Sequence, residues 1–441
     1  MRSSRRALPA LLPLLLVLVV AAATCGQTGT VGFAGTVTAQ ARASMREPAR
    51  GAGPLARVAT GTFRKKLNTQ AFDSGRATTH VSAMFEGLGM VGATRGGTLF
   101  AVQRRGTSSI DPTGQLVFFE YRGAERGWTE RPIYDSEWDD RNAAGGVTST
   151  GTIVAFFARY DSHTGIWHDM GFIRSTDDGQ SWSDYKTVPV GADRWYSPYG
   201  KLVELPGGRL MQLLYGNDGY SYRVRAIFSD DDGETWGNEV TIDRQSFERP
   251  TEADAILVDG TTNDNARLIV VSRTEPGPNP QAGGGLYQYV SANGGRTWKR
   301  MGFMNVGDTP SDISPWLTNL SDGRIALVWA ARRTMTIEVS IADGARVFRN
   351  RNGWGKPYTL FTSRLANQRP RQAANFGYPA IGTVGQSDED QVVIFFDANS
   401  SDPSVFHEKA FANTDLVMIR LLGPKIAERK RLEREAQHSS S

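Results

Sequence analysis

Three near-copies of one octapeptide constrain the fold of this chain more than any other feature. They read Ser-Thr-Asp-Asp-Gly-Gln-Ser-Trp at 175–182, Ser-Asp-Asp-Asp-Gly-Glu-Thr-Trp at 229–236 and Ser-Ala-Asn-Gly-Gly-Arg-Thr-Trp at 291–298. The Asp or Asn at the third position accepts backbone N–H bonds within a tight turn. The glycine at the fifth position can adopt a positive φ, and the closing tryptophan can bury a large ring between neighbouring units. The pattern predicts a hairpin turn that is used repeatedly.

Two further ladders of residues extend this repeat. Tryptophans recur at positions 128, 182, 236, 298 and 354, spaced 54 to 62 residues apart. Short apolar runs recur at a similar spacing, most of them introduced by glycine: Leu99–Val102, Ile153–Phe157, Leu268–Val271, Ile325–Trp329 and Gln391–Phe396. Such runs indicate buried strands. A repeat of this length with several strands per unit is typical of a propeller. We therefore expect an all-β fold, a six-bladed β-propeller over residues 76–422.

The N-terminus predicts export. Met1–Arg6 is basic, and the apolar stretch Ala7–Ala23 that follows ends in small residues, which is typical of a signal peptide over residues 1–25. Cys25 is the only cysteine, so no internal disulfide can form, and it stands where a bacterial lipoprotein carries its lipid. We expect a secreted or cell-surface protein that meets a membrane only through an N-terminal anchor or lipid. Residues 26–75 are expected to form a flexible arm and 423–441 a charged tail.

Charge and motif content exclude several classes of function. The formal net charge is +4, and removing the three arginines of the predicted signal peptide leaves about +1, which does not indicate a nucleic-acid partner. The chain has no glycine-rich dinucleotide fingerprint, no phosphate-binding loop and no histidine cluster at zinc spacing. We expect no cofactor and no metal, and the oligomeric state is left open.

The octapeptide resembles the Asp box of the sialidase (neuraminidase) superfamily of BNR-repeat proteins, and the resemblance covers about 350 of the 441 residues. It implies a set of site residues in the family's order along the chain. Glu252 and Arg273 match the glutamate and arginine of the fourth blade. Arg333, seven residues before Ser340, matches the arginine of the fifth blade, and Tyr378 matches the catalytic tyrosine that opens the sixth.

The resemblance also implies a chemistry. Arg273 and Arg333 would hold the carboxylate of sialic acid through charge-assisted bonds. An anionic nucleophile would be repelled by that carboxylate, so Tyr378 would attack instead, activated by Glu252. Asp111 would protonate the leaving oxygen. The expected function is that of a secreted sialidase-like glycoside hydrolase, which removes α-linked sialic acid or a related acidic sugar from glycans. Its partners would be sialylated or other acidic glycans.

One departure from the family pattern keeps other functions open. The family's first arginine precedes the blade-one strand by about ten residues, where this chain has Phe85–Leu88. Arg141, placed ten residues before Gly151, is the candidate that could supply the third guanidinium from the next blade. Phage endosialidases use an arginine pair, a glutamate and a histidine, which would give a role to His168 or to His163. The alternatives are an endosialidase-like enzyme or lyase acting on acidic polysaccharide, and a propeller that binds acidic glycans or protein without catalysis.

A group of aromatic residues admits two interpretations. Its members are Trp195, Tyr196, Tyr199, Tyr220 and Tyr222. They could form a wall on which sugar rings stack, or they could pack the core and its loops.

Overall fold

The computed structural model describes residues 85–106, 112–122, 128–189, 195–276, 284–320, 323–363, 376–383, 390–398 and 414–422. The predicted signal peptide, N-terminal arm and charged tail lie outside these residues, as does Asp111. Within the described segments, no helix is long and apolar enough to span a bilayer.

The described residues form strands almost throughout. In chain order these are β1 (Phe85–Ala93), β2 (Leu99–Gly106), β3 (Gln115–Tyr121), β4 (Trp128–Tyr134), β5 (Asp139–Val147), β6 (Ile153–Asp161), β7 (Ile166–Ser175), β8 (Lys186–Thr187), β9 (Trp195–Glu204), β10 (Leu210–Asn217), β11 (Tyr222–Ser229), β12 (Gly237–Gln245), β13 (Glu248–Asp259), β14 (Arg267–Pro276), β15 (Gly285–Ser291), β16 (Lys299–Phe303), β17 (Asp312–Asn319), β18 (Arg324–Ala331), β19 (Thr336–Asp343), β20 (Tyr358–Thr362), β21 (Gly377–Thr383), β22 (Asp390–Ala398) and β23 (Thr414–Leu422). A single turn of 3-10 helix spans Asn263–Asn265, and the short helix α1 spans Gly344–Arg349. The expectation of an all-β fold is confirmed.

The strands pair as consecutive antiparallel meanders. β1–β4, β13–β16 and β17–β20 each form a four-stranded sheet, and β21–β23 form a three-stranded one. In the eight-stranded sheet, the meanders β5–β8 and β9–β12 join through a parallel pairing of Gly145 with Lys201. The first strand of each meander contacts the first strand of the next, in the order β1, β5, β9, β13, β17, β21 and back to β1. The first strands therefore form a closed ring of contacts.

The second strands are the predicted apolar runs, and they are buried because a meander is covered on both faces by its neighbours. Ile153–Phe157, for example, is fully buried in β6. Trp236 shows how the units join: its ring packs edge-on against Phe156 of the preceding meander, with 4.8 Å between ring centres. Ring burial of this kind between units is what the tryptophan ladder predicted.

The repeated octapeptides are turns between third and fourth strands, as predicted. In the second copy, the Ser229 hydroxyl accepts the N–H of Gly233 at 2.9 Å, and Oδ1 of Asp231 accepts the N–H of Thr235 at 2.9 Å. Gly233 has φ +83°, and a Cβ there would lie 2.9 Å from a methyl group of Val154. The turn therefore needs its glycine for both conformation and space.

Every first strand carries a β-bulge, and the bulges matter for the site. In β5 the register shifts between Arg141 and Ala144, in β13 between Pro250 and Ala253, and in β21 between Gly377 and Ala380. β17 shifts likewise between Ile313 and Trp316. Bulges bend a strand and re-aim a side chain. In three of them a residue other than glycine adopts a positive φ, namely Asn142, Ser314 and Tyr378.

Candidate functional site

A tyrosine and a glutamate meet where the bulges of β13 and β21 face each other. The Tyr378 hydroxyl donates a hydrogen bond to Oε1 of Glu252 at 3.1 Å. Both side chains are buried. Tyr378 has φ +55°, a conformation that is rare for a bulky residue and costs about 1–3 kcal/mol. The surrounding structure therefore holds this hydroxyl on Glu252 against a local preference of the backbone.

Arg273, on the neighbouring strand β14, holds the glutamate from its other side. Its Nη1 lies 2.9 and 3.0 Å from the two carboxylate oxygens of Glu252, and its Nη2 lies 2.7 Å from Oε1 of Glu275. A guanidinium that donates to two carboxylates has little freedom to rotate. Arg273 thus orients Glu252 toward Tyr378.

Arg332 completes this cluster. Its guanidinium carbon lies 5.2 Å from the centre of the Tyr378 ring, and its Nε donates to the Phe376 carbonyl at 3.2 Å. Burial lowers the pKa of the Arg332 guanidinium, and the charges of Tyr378 and Glu252 act in the opposite direction. An arginine keeps its proton at neutral pH even so. A second cation therefore lies beside the tyrosine.

The predicted Arg333 takes a different position. The turn that follows β18 directs Arg332 inward, with its backbone N–H bonded to the Ser311 carbonyl at 3.0 Å, and leaves Arg333 exposed. The structure places Arg332, and not Arg333, beside Tyr378. A role for Arg333 stays a prediction, and the spacing to Ser340 on which it rests does not show which way each residue of the turn points.

Arg141 belongs to a second buried cluster. Its Nη1 lies 3.4 Å from Oδ2 of Asp139, whose Oδ1 accepts a bond from Nε of Arg104 at 2.6 Å. The Arg141 guanidinium also lies 5.4 Å from the ring centre of Tyr160. Burial lowers the pKa of Arg141, and Asp139 opposes that shift. None of the contacts described for Arg141 joins it to Tyr378 or Glu252.

Asp140, between these residues in sequence, has its own environment. Its carboxylate accepts bonds from the Ser136 backbone N–H and hydroxyl, both at 2.8 Å. Burial raises the pKa of Asp140 to about 7, against the lowering effect of the two bonds from Ser136. Asp140 therefore titrates near neutrality, which makes it a useful probe of this cluster.

The remaining predicted residues lie apart from Tyr378 or outside the described segments. The His168 ring is exposed and stacks on Trp138, with 3.8 Å between ring centres. Asp111, the expected acid, is not among the described residues, but the chain just after it is. Gly114 sits so close to Asp139 that a Cβ on Gly114 would lie 1.8 Å from a carboxylate oxygen.

The sequence did not identify four residues of these clusters: Arg332, Arg104, Asp139 and Glu275. A signal for the arginines was present, since the second strands β2, β14 and β18 each carry an arginine within the last residues of the strand or just after it: Arg104, Arg273 and Arg332. Because the second strand of every meander runs in the same direction around the ring, such ends meet at one face.

Tyr199 of the aromatic group is a buried neighbour of the cluster. Its ring centre lies 6.1 Å from that of Trp316 and 6.4 Å from that of Tyr215. Burial raises the pKa of Tyr199 well above its usual value, and the charge of Glu252 raises it further. This tyrosine therefore packs the core beside Glu252.

The Tyr378 cluster has the parts of a nucleophile with its base. A tyrosine hydroxyl lies in hydrogen-bond reach of a carboxylate that a third group orients, which is the usual arrangement for activating a weak nucleophile. Among the described residues, no group of three or more His, Cys, Asp or Glu side chains is arranged to hold a metal ion.

Comparison with known proteins adds a family and a set of similar folds. Residues 113–390 match the model of the family described as BNR repeat-like domain. A sialidase of Paraclostridium sordellii is 26% identical over 178 residues, which cover 35% of this chain and 40% of that relative. The matched region thus spans two fifths of the curated relative's length.

Two solved structures show the same fold at low identity. The leech intramolecular trans-sialidase, in complex with 2,7-anhydro-Neu5Ac, superposes with a TM-score of 0.55 at 12% identity, over 76% of this chain and 67% of that one. An α-L-arabinofuranosidase of Fusarium graminearum, in complex with arabinobiose, superposes with a TM-score of 0.54 at 15% identity, over 80% of this chain and 96% of that one.

Proposed function

The chain belongs to the family of BNR repeat-like domains within the sialidase superfamily, and from this premise we propose that it is a glycoside hydrolase that cleaves α-linked sialic acid or a related acidic sugar. We also propose that its closed ring of first strands is the centre of a six-bladed propeller, with one blade for each first strand. The observation that carries the proposed activity is the buried bond from Tyr378 to Glu252.

In the proposed first step, Tyr378 attacks the anomeric carbon. As the bond from Oη to that carbon forms, Glu252 accepts the phenolic proton and the glycosidic C–O bond breaks. The leaving oxygen takes a proton from a carboxylic acid, the role expected for Asp111. The structure of the base supports this step, because Arg273 holds Glu252 with its Oε1 on the tyrosine hydroxyl.

In the second step, water attacks the anomeric carbon of the aryl glycoside that joins the sugar to Tyr378. The acid of the first step, now a carboxylate, takes a proton from that water. The bond to Oη breaks, and Glu252 returns its proton to Tyr378. Two displacements at one carbon give net retention of its configuration.

A tyrosine suits a sugar whose anomeric carbon carries a carboxylate, because a neutral nucleophile is not repelled by it. Both terminal nitrogens of Arg273 donate to glutamates. We therefore propose that Arg273 chiefly orients Glu252. The residue that we propose binds the substrate carboxylate is Arg332. The guanidinium carbon of Arg332 lies 5.2 Å from the ring centre of the proposed nucleophile, which supports this assignment.

A second candidate is a hydrolase of neutral sugars such as arabinofuranosides. Two observations favour it. The two arginines of the cluster are matched by two glutamates, Glu252 and Glu275, and β1 contains no arginine where the family has its first one. A site with balanced charge attracts an anionic sugar less strongly. The Fusarium enzyme of similar fold was solved with a neutral disaccharide.

Two aryl glycoside substrates separate these candidates. We would assay a fluorogenic aryl α-sialoside and an aryl α-L-arabinofuranoside with the wild type, Glu252→Gln and Glu248→Gln. Glu248 is the matched control, because it lies on the same strand and accepts a bond from Tyr287 at 2.9 Å.

Turnover of the sialoside that Glu252→Gln removes and Glu248→Gln retains supports the proposal. Turnover of the arabinofuranoside alone supports the second candidate. If correctly folded protein turned over neither substrate nor polysialic acid, the hydrolase proposal would fail and a non-catalytic binding role would replace it.

A further inference from the structure

A row of aromatic side chains extends away from the Tyr378 cluster across β7, β9 and β11. We call Trp167, Trp195 and Tyr222 the aromatic wall. The rings of Trp167 and Trp195 stack with 5.6 Å between their centres and 25° between their planes, and the Tyr222 ring meets Trp195 edge-on at 6.1 Å. All three side chains are only half-buried. The wall therefore keeps part of its aromatic surface toward solvent.

Strand register places the wall at one edge of the sheet. Trp195, Asn217, Tyr222 and Gln245 lie side by side across β9, β10, β11 and β12. Adjacent strands are about 4.8 Å apart, so this row is about 14 Å long. That length accommodates about two or three sugar units. The row thus offers aromatic rings alternating with the amide side chains of Asn217 and Gln245.

Contacts join the wall to the candidate site. Trp195 packs against Tyr215 with 5.7 Å between ring centres, and Tyr215 packs against Tyr199, the buried neighbour of Glu252. On the opposite side, the guanidinium of Arg249 lies 5.4 Å from the Tyr222 ring centre. Arg249 stands three residues before Glu252 on β13. The wall and the site are therefore connected through packed side chains.

Two strongly exposed aromatic residues extend the wall into solvent. Tyr220 is 88% exposed and Phe247 is 71% exposed. Each lies two residues beyond the cross-strand pair of Tyr222 with Gln245, so both leave the sheet at the same edge. Large apolar rings exposed together on a surface mark sites that bind ligands.

The loop that carries Tyr220 is held in one conformation. Oδ1 of Asp218 accepts the N–H of Tyr220 at 2.9 Å and that of Ser221 at 2.7 Å, and its Oδ2 accepts a bond from Arg244 at 3.0 Å. These bonds lower the pKa of Asp218, so the carboxylate that accepts them stays ionised at neutral pH. A ring presented on a rigid turn loses little conformational entropy when a ligand binds to it.

We propose that the aromatic wall, with Tyr220 and Phe247, binds the sugar units of a glycan chain that continue beyond the unit held at Tyr378. The apolar faces of sugar rings would stack on the aromatic rings, and their hydroxyls would bond to Asn217, Gln245 and Arg249. The substrate would then be an oligosaccharide or polysaccharide and not a single terminal sugar. The placement of the cleaved sugar at Tyr378 rests on the proposed function, whereas binding of a glycan chain by the wall does not.

Two features favour a glycan over a protein partner: the packing of the wall against the neighbours of the Tyr378 cluster, and the chemical character of its side chains. The wall leads into the Tyr378 cluster through packed rings. Its aromatic members alternate with polar side chains at strand spacing, as a ligand with alternating apolar faces and hydroxyls requires.

Binding without turnover tests the proposal. We would run native gels that contain polysialic acid, linear arabinan or no polysaccharide, with the wild type, Tyr220→Ala, Tyr220→Phe, Phe247→Ala and Ile166→Ala. Ile166 is the matched control, since it is exposed and apolar on the neighbouring meander but has no ring. We expect one of the polysaccharides to retard the wild type. Tyr220→Ala and Phe247→Ala should weaken that binding about tenfold, while Tyr220→Phe and Ile166→Ala should bind as the wild type does.

The proposal is overturned if neither polysaccharide retards the wild type, or if Tyr220→Ala and Phe247→Ala bind as tightly as Ile166→Ala. These results are distinct from failure of the proposed function. Turnover of an aryl glycoside without retardation by polysaccharide removes the wall proposal alone. Retardation that depends on Tyr220, in a protein that cleaves no glycoside, removes the hydrolase proposal alone.

Discussion

The Tyr378 hydroxyl and Oε1 of Glu252 lie 3.1 Å apart, although 126 residues separate them in the chain. Their meeting depends on two bulged first strands, β13 and β21, which turn both side chains into the same buried space. Tyr378 accepts an unfavourable backbone conformation there. Strain of this kind is retained where the surrounding structure enforces it, and it is concentrated at functional sites.

Removing the Tyr378 hydroxyl should lower turnover strongly without unfolding the protein. Tyr378→Phe keeps the ring, so we expect a fall in kcat of about 10²–10⁴-fold, the range that loss of an activated catalytic group produces. Tyr287→Phe is the matched control, because Tyr287 also donates to a glutamate, Glu248, at 2.9 Å. Steady-state kinetics of both variants on the aryl glycoside that the wild type cleaves gives the answer. Equal activity in the two variants would exclude Tyr378 as the nucleophile.

Arg332 and Arg333 should differ sharply in their effect on substrate binding. Arg332→Ala removes the cation beside the Tyr378 ring, whereas Arg333→Ala removes an exposed one. A hydrogen bond between charged groups contributes about 1.5–3 kcal/mol. We therefore expect kcat/KM for the sialoside to fall about 10- to 100-fold in Arg332→Ala and to stay within about twofold in Arg333→Ala. The reverse ranking would restore the arginine chosen from sequence spacing.

Asp140 should make stability fall as pH rises toward neutrality. Its pKa in the folded protein is about 7, above the 3.8 of an unperturbed aspartate, so between these two pH values the folded state binds more protons than the unfolded state. Stability from this group is complete below the lower value and is lost progressively as pH rises to about 7. Asp140→Asn, which cannot ionise, should therefore gain stability relative to the wild type between pH 4 and pH 7, on the order of a few kcal/mol.

Urea unfolding at pH 5 and pH 8 measures this difference for Asp140→Asn. Asp177→Asn is the control of opposite sign, because hydrogen bonds from Ser181 lower the pKa of Asp177 to about 2. Stability from Asp177 is complete above its unfolded pKa and is lost only as pH falls toward 2. Its variant should therefore differ from the wild type by the same amount at pH 5 and pH 8. A pH-independent difference for Asp140→Asn as well would show that Asp140 has an ordinary pKa.

Trp236 should contribute more to stability than Trp182, although the two occupy the same position of the repeated octapeptide. Trp236 is buried and contacts both Phe156 and Phe172, whereas Trp182 is half-buried. Replacing a buried tryptophan by alanine costs about 3–5 kcal/mol. We expect that loss in the free energy of unfolding for Trp236→Ala and a smaller loss for Trp182→Ala, both by urea unfolding. A larger loss for Trp182→Ala would contradict the packing described.

Much of the fold was readable from the sequence because its signals are local. The octapeptide turns and the apolar second strands depend on residues within one hairpin, so spacing alone located them. The pairing of Glu252 with Tyr378 followed from resemblance to the family, since nothing within either segment indicates the other. The sequence could not show that Arg332 lies nearer to Tyr378 than Arg333 does, because the direction of a turn residue depends on contacts such as the bond from the Arg332 backbone N–H to the Ser311 carbonyl.

Other parts of the site could not be read from local sequence at all. Arg104 and Asp139 meet across two meanders, and their pairing requires the register of β2 and the bulge of β5. Some members of the aromatic group are buried and others are exposed, and the periodicity of the sequence does not show which. Tyr199 is buried beside Glu252, while Tyr220 is exposed on a turn outside the sheet. The distinction rests on where each strand ends.

The closed contact between β21 and β1 changes what kind of repeat protein this is. An open array of repeats can lengthen or shorten by one unit, because each unit touches only its neighbours and a new terminal unit meets solvent as the old one did. In a ring the angle between units is set by their number, so one unit more or fewer would misfit at every interface at once. Variation in such a molecule is therefore confined to its loops and strand ends, which is where Arg332, Tyr220 and Phe247 are found.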